Sequence, residues 1–284
     1  MNAQGFQLGD AANYAVLYEG AGGHQLQVNS GPVNGATIYG NVGVGDEDAG
    51  NPQAQLNNPA VIAGNINFAG TANVSNSGAI VNGSINSDVT SVETDLNNLN
   101  SLSSTLGAEL GTNLAINIAN GGSQTINASS GTLDANGNDV FKVTSLSFVN
   151  GATLTINGSA SQHVVLDFNF NTHFSGTIDL AGGINQNEVL FNITGGMNLM
   201  SGDTLQFAAN DVTQYGTFLD PNGTITENSV NLIGHLYGGD SSNMQIVSHG
   251  TVAIPEPATD AALLGLAVFS AAIARRRRML KANA

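Results

Sequence analysis

Two hydrophobic periodicities divide the chain. From Leu114 to Val252, apolar and polar residues alternate almost throughout. Leu114, Ile116 and Ile118 alternate with Ala or Asn, and Val143 to Val149, Leu154 and Ile156 continue the scheme. Val164 to Phe170, Gly176 to Leu180 and Val189 to Ile193 follow, then Thr204 to Ala208, Thr224 to Thr226, Val230 to Ile233 and Met244 to Val247. A period of two predicts strands with one buried face, and the Asn-Gly, Gly-Gly and Ser-Gly steps between them predict that each is short. Residues 6–83 read the same way, with strands near Phe6 to Leu8 and at Tyr14 to Leu17, Thr37 to Val44, Val61 to Phe68 and Ala79 to Val81.

The second periodicity is confined to one stretch. Ile85, Val89, Val92, Leu96, Leu99, Leu102, Leu106 and Leu110 recur every three or four residues, which predicts a helix over about 86–110. Ser87 or Asp88 supplies an N-cap, Asp88 and Glu93 suit the N-terminal dipole, and Gly111 offers a left-handed stop. The stripe is short for a coiled coil, so the helix is expected to lie lengthwise against β-structure. Phrases such as Val149-Asn-Gly-Ala-Thr-Leu-Thr-Ile-Asn-Gly158 and Asn222-Gly-Thr-Ile-Thr226 recur loosely, as in a solenoid whose coils vary in length. A β-sandwich also satisfies the alternation. Stacked coils account better for the lack of a two-residue hairpin series, and they place Asn and Thr in ladders that satisfy buried polar groups.

Composition changes this picture mainly through charge. Charged residues are 10% of the chain and glycines number 36. The six basic residues are Lys142, Arg275, Arg276, Arg277, Arg278 and Lys281, so residues 1–260 hold one cation against all 21 carboxylates, a net charge of −20. Such a body repels nucleic acid, whose binding depends on Lys and Arg neutralising phosphate. Divalent cations and positively charged surfaces are its natural counterparts. Cysteine is absent, which excludes disulfides, thiolate zinc sites and a Cys nucleophile.

The C-terminus carries the sharpest pattern. Ile254-Pro255-Glu256-Pro257-Ala258-Thr259 precedes an apolar run from Ala261 to Ala274, and Arg275 to Arg278 close it. Fourteen helical residues rise about 21 Å, short of a hydrocarbon core of roughly 30 Å. The run is a marginal membrane span, with the arginines on the cytoplasmic side and residues 1–254 outside. Pro255, Glu256 and Pro257, the short apolar helix and the arginine cluster together resemble the PEP-CTERM sorting signal of Gram-negative bacteria. The resemblance implies recognition by an exosortase, transient anchoring in the inner membrane, release to the cell surface or extracellular matrix, and an exopolysaccharide-producing host. Ile254 stands where Val is common. The expected domains are an ectodomain over 1–253 and a sorting segment over 254–284. Met1-Asn2-Ala3-Gln4-Gly5-Phe6 has neither a basic n-region nor an apolar h-region, so the export leader is expected upstream of Met1.

Leu8-Gly-Asp-Ala-Ala-Asn-Tyr-Ala-Val-Leu17, Gly40-Asn-Val-Gly-Val-Gly45 and the apolar helix before the repetitive strands resemble ice-binding-like β-solenoids. Ser229-Val-Asn-Leu-Ile-Gly-His-Leu-Tyr-Gly-Gly-Asp240 resembles the last coils of choice-of-anchor A domains. These families imply a mostly β fold, a right-handed parallel β-helix with a helix alongside. No run of regular Thr-rich faces stands out along the chain, as ice binding would need.

Candidate chemistry is sparse. Tyr39-Gly-Asn-Val-Gly-Val-Gly45 lacks the Lys-Ser/Thr of a phosphate loop and reads as strand and turn. His24, His163, His173, His235 and His249 are scattered and read as surface or turn residues. Lys142 is the one base for lyase chemistry on a uronate, and Asp167 with Asp179 is the candidate carboxylate pair for a hydrolase. Calcium, a hard cation, has candidate ligands in Asp46, Glu47 and Asp48, and in Asp134, Asn136, Asn138 and Asp139, although Ser145 stands where an EF-hand would close with Glu. The expectation is a non-enzymatic exported protein acting in adhesion or exopolysaccharide association. Ice binding is the first alternative and a glycan-active β-helix enzyme the second.

Overall fold

A computed structural model describes residues 5–20, 23–29, 35–46, 53–194, 197–200, 212–240 and 242–254. The chain divides into two compact units, Met1–Ile254 and Pro255–Ala284. The second, with the expected hydrophobic helix, Pro255, Glu256, Pro257 and the four arginines, lies outside the described residues, as do Glu47, Asp48 and the strand expected at 204–208.

The first unit is a parallel β-solenoid with three faces. Each coil places a strand on a helix-covered face, then on an amide-bearing face, then on a threonine-bearing face. Tyr14–Tyr18, Leu26–Val28 and Thr37–Tyr39 make one such coil. Above it, Asn41–Val44, Gln53–Asn57 and Val61–Ile62 make the next, paired in parallel to the first on all three faces. Ile66–Phe68, Asn73–Ser77 and Ile80–Val81 form the last coil in that direction, and Ile85–Asn86 adds one more strand.

The order of coils along the axis differs from their order in the chain. After Asn86 the helix α1, Ser91–Ala108, carries the chain back along the outside. Its 18 residues rise roughly 27 Å, enough to pass about five coils. Coiling resumes at the far end with Thr112–Ile118 and returns toward the start. There Asn231–Gly238 pairs with Tyr14–Tyr18, Met244–Val247 with Leu26–Val28, and Thr251–Ala253 with Thr37–Tyr39. The first and last coils are therefore neighbours, joined along one seam.

Glycine makes one corner of the coil possible. Gly216, Gly234, Gly40, Gly64 and Gly83 lie where the threonine face bends into the helix-covered face. A Cβ on Gly234 (φ +144°) would stand 1.9 Å from the Gly216 carbonyl oxygen, and one on Gly64 would stand 2.4 Å from that of Gly40. Only a residue without a side chain lets the backbones stack so closely.

The interior is filled by the inward residues of the alternating pattern, including the stacked rings of Phe191 and Phe218 (centroids 4.5 Å apart) with Phe174 edge-on to both. Strands under the helix are buried on both sides, which explains runs such as Val164-Val-Leu-Asp-Phe168. Their outward Val165, Leu190, Leu219 and Tyr237 meet Val92, Leu96, Leu99 and Leu106 of α1.

The helix is shorter than its hydrophobic stripe. Ile85 belongs to a strand paired with Ile66, and Asp88 takes a positive φ (58°) where the chain leaves the coil. Thr90 is the N-cap and makes no side-chain cap, while the Ser87 hydroxyl accepts a hydrogen bond from the Ala72 amide instead. At the other end Glu109 is already extended, and Gly111 packs against Lys142 and Val140 rather than turning left-handed. Leu110, at the end of the stripe, is exposed. The expected strand at Phe6 to Leu8 is an irregular segment leading into a 3-10 turn, Gly9–Asn13. It crosses the coils as a strap: the Gly5 amide reaches the Asn136 carbonyl and the Phe6 amide reaches Asn138 Oδ1 at 2.7 Å.

Because Leu99 is 2% exposed between helix and sheet, Leu99→Ala should lower the unfolding free energy by about 2–5 kcal/mol, the usual range for a leucine-sized cavity. Denaturant unfolding with unchanged m-value checks this. A loss under about 0.5 kcal/mol would show that the helix is not docked as described.

Candidate functional site

The threonine-bearing face collects residues from distant parts of the chain. Its strands stack in parallel, so their outward positions form columns at about 4.8 Å spacing. In one column Ser123, Thr153, Thr177, Thr213, Asn231, Thr251 and Thr37 succeed one another, ending in Val61 and Ile80. Two residues along each strand, the next column reads Thr125, Thr155, Asp179, Tyr215, Ile233, Ala253 and Tyr39. The residues between the columns, among them Leu154, Ile178, Leu232, Val252 and Ile38, are fully buried. A regular hydroxyl ladder therefore exists, contrary to the impression from linear sequence. It escapes notice because the order along the face is not the order along the chain.

The signal that could have found it is a recurring triplet, a Thr followed by one core residue. Thr37-Ile-Tyr39, Thr153-Leu-Thr155, Thr177-Ile-Asp179 and Thr251-Val-Ala253 share it. The second column is uneven: Tyr39 is 54% exposed, Tyr215 is half-buried, and Asp179 places one carboxylate beside the ladder.

The amide-bearing face carries Gln27, Gln55 and Gln245, with Gln245 Nε2 donating to Gln27 Oε1 at 3.0 Å. Asn57 donates to Asn29 in the same manner (2.5 Å), as does Asn157 to Asn127 (2.8 Å) beside the threonine ladder. These are the amide ladders anticipated for a solenoid. Near one end of this face a groove of about 510 Å³ is lined by Asn120, Ser147, Asn150, His173 and Ser175. His173 Nε2 lies 3.0 Å from Ser175 Oγ.

The residues considered for catalysis do not converge. Asp167 faces α1, where Lys142 Nζ meets its Oδ2 at 2.7 Å and the Gly107 carbonyl at 2.8 Å, while Asn192 Nδ2 donates to its Oδ1 at 2.7 Å. Asn192 also donates to the Ser103 carbonyl (3.0 Å) and accepts from the Ser103 hydroxyl (2.5 Å). This network fastens the last turns of the helix to the sheet and places a cation against its C-terminal carbonyls, where it is electrostatically favoured. Asp179 sits on the threonine face, so Asp167 and Asp179 belong to different faces.

Asp134 spends both oxygens on its own turn, accepting from the Asn136 amide (2.9 Å), the Asn138 amide (2.7 Å) and Asn138 Nδ2 (2.7 Å). Asn138 Oδ1 holds the strap and Asp139 accepts from Gln162. Of the acidic run, Asp46 is described, and its amide donates to Glu93 at the start of α1. No three His, Cys, Asp or Glu residues converge as a metal site among the described residues.

Two buried groups went unforeseen. His235, expected at the surface, is buried at the seam, with Nδ1 2.7 Å from the Tyr14 carbonyl; burial pushes its pKa down. Tyr237 beside it donates to the Ala11 carbonyl at 2.7 Å. Asp220 lies inside the solenoid with neither carboxylate oxygen hydrogen-bonded, and its pKa is pushed up from 3.8 to about 8, chiefly by burial and secondarily by Asp240.

In fold, the chain is similar to β-solenoid ice-binding proteins. An ice-binding protein from the Antarctic ascomycete Antarctomyces psychrotrophicus is 16% identical with a TM-score of 0.51, the match covering 89% of this chain and all of that one. The DUF3494 domain of the Shewanella frigidimarina ice-binding protein 1 is 15% identical with a TM-score of 0.51, over 90% and 100% of the two chains. An ice-binding protein from an Antarctic Flavobacteriaceae bacterium is 18% identical with a TM-score of 0.50, over 90% of this chain and 51% of that one. Residues 253–278 match the PEP-CTERM protein-sorting motif, spanning Pro255, Glu256, Pro257 and all four arginines. That motif implies export, passage through a membrane-anchored stage and recognition by an exosortase. No curated protein matches the chain.

Asp220 makes a pH dependence testable. The unfolded carboxyl ionises near 4 and the folded one near 8, so folding takes up a proton between these values. The stability contributed by Asp220 is thus highest below about pH 4, falls as pH rises through the window, and levels off above about 8. Asp220→Asn should abolish a loss on the order of a few kcal/mol between pH 5 and 8. Urea midpoints of the two proteins across that range decide it, and parallel pH curves would show that Asp220 does not titrate as described.

Proposed function

We propose that the protein is a non-enzymatic exported surface or matrix protein that holds an extended neutral polysaccharide on its threonine face. The observation supporting this reading is the pairing of a hydroxyl and amide ladder with two tyrosines. Tyr215 and Tyr39 occupy one column three strand steps apart, roughly 14 Å, with the smaller Ile233 and Ala253 between them. Rings spaced this way offer stacking platforms at the ends of a trough, and the adjoining Thr and Asn side chains supply hydrogen bonds along it. A body with a net charge of −20 over residues 1–260 disfavours anionic polymers. The sorting motif supports delivery to the surface where such polymers lie.

Ice binding is the second reading, favoured by the regular Ser123-to-Thr37 column and by the activity named for proteins of similar fold. The projecting rings and the charge of Asp179 count against a face that must match a flat crystal plane.

Affinity electrophoresis through gels containing a neutral glucan or an anionic uronan tests the first reading. The glucan should retard the protein, and Tyr39→Ala with Tyr215→Ala should restore mobility by at least tenfold weaker binding. Unretarded wild-type protein in the neutral gel would overturn it. Thermal hysteresis that persists in the double tyrosine variant but vanishes in Thr177→Lys would favour ice instead.

A further inference from the structure

The two ends of the solenoid are built differently. At the Thr112–Ile118 end, residues 128–137 fold over the coil, and Thr132–Leu133 pairs antiparallel with Asn138–Phe148. The inward Ile116, Ile118 and Ile126 there are at most 3% exposed. Gln124, at an inward position, donates to the Ala115 carbonyl and accepts from the Asn117 amide. Glu109, Asp134 and Asp139 add carboxylates to this end.

At the other end nothing among the described residues covers the last coil. Asn73–Ser77, Ile80–Val81 and Ile85–Asn86 are each paired on one side only. Val74, Val81 and Ile85 align with the buried Ala54, Ile62 and Ile66 below them, so they point inward, yet Val74 and Val81 are half-buried and Ile85 is 45% exposed. Ile80 beside them is 57% exposed. Three open strand edges around an uncovered apolar centre are a template for further pairing.

Charge distinguishes who can occupy it. Residues 53–87 contain none of the 21 carboxylates and no cation, in a body that is otherwise strongly acidic. Two copies repel through almost any other surface, whereas this end carries one exposed carboxylate at its rim, Asp88, where the chain leaves the coil. A two-fold axis across the solenoid axis keeps the hand of both copies but makes their edge strands run in opposite directions where they meet, so each facing pair is antiparallel, an arrangement hydrogen-bonded ladders accept. At the opposite end Thr112–Ile118 and Ser123–Asn127 are also each paired on one side only, but Gln124 already occupies the Ala115 carbonyl and the Asn117 amide of that edge, which disfavours head-to-tail growth.

We propose that the protein forms a two-fold dimer in which the uncovered ends, Asn73–Ser77, Ile80–Val81 and Ile85–Asn86, pair with those of a second copy. The inference is independent of what the threonine face binds.

The natural absence of cysteine permits a direct test on the full chain in mild detergent, which disperses the C-terminal apolar segment. Ser77→Cys, exposed at the open end, should be converted to covalent dimer by a short bismaleimide. Leu133→Cys, 69% exposed at the covered end, should give at least tenfold less. Light scattering on the cysteine-free protein should give the mass of two chains, falling to one in Ile80→Lys with Ile85→Lys while the circular dichroism melt is retained. Equal cross-linking at the two ends, or a single-chain mass for the unmodified protein, would overturn the proposal. Should the lysine variant fail to fold, the comparison of the two cysteine variants, both at exposed positions, still decides.

Discussion

Everything in this molecule depends on closing the seam between the first coil and the last. Tyr14–Tyr18 lies between Asn41–Val44, its near neighbour in the chain, and Asn231–Gly238, more than two hundred residues away. The same join recurs on the other two faces. Until it closes, two stacks of coils each expose a ladder edge and half of an apolar interior. Buried polar groups mark this place: Tyr237 reaches back to Ala11, and His235 to Tyr14, across the seam. A group buried there without a partner costs more than the bond returns, so the seam is specified by hydrogen bonding as well as by apolar area. Such distant pairing is entropically expensive and slow to form.

The helix makes the split order workable. It spans the outside of the stack, covers the strands on both sides of the join, and carries the chain from one end to the other. Two unlike attachments hold it. Its apolar stripe meets Val165, Leu190, Leu219 and Tyr237, while its last turns are tied to Lys142, Asp167 and Asn192. Lys142 is the one cation of residues 1–260, and it is consumed here. A residue that the sequence offers as a catalytic base is thus a structural counter-ion.

How much of this was legible follows from which signals are local. Strand alternation and the helix stripe depend on neighbours in sequence, and among the described residues both elements formed where the pattern placed them, except at Phe6 to Leu8, which is irregular. The helix ends did not, because Ile85 satisfies the helical stripe and the inward position of a coil equally well, and stacking on Ile66 decides between them. Asp220 could not be foreseen, since nothing near it in sequence distinguishes a carboxyl inside a corner from one on a turn. The threonine column was visible only as triplets. Thr251 and Thr37 become neighbours solely because the last coil meets the first, so no linear scan could order them.

The distribution of charge then connects architecture to recognition. With Lys142 paired to Asp167, residues 1–260 present acidic and neutral regions and little that would attract an anionic partner. Partners must be held by shape, ring stacking and hydrogen bonds wherever carboxylates are sparse. Two regions meet that condition. The threonine face has Asp179 as the one carboxylate in its two columns, and the open end has Asp88 at its rim. The chain leaves the first unit at Ile254, whose amide bonds to the Tyr39 carbonyl, so its exit lies at the seam and beside the threonine face rather than at either end. The seam and the two threonine-face columns thus share one stretch of ladder built from both halves of the chain.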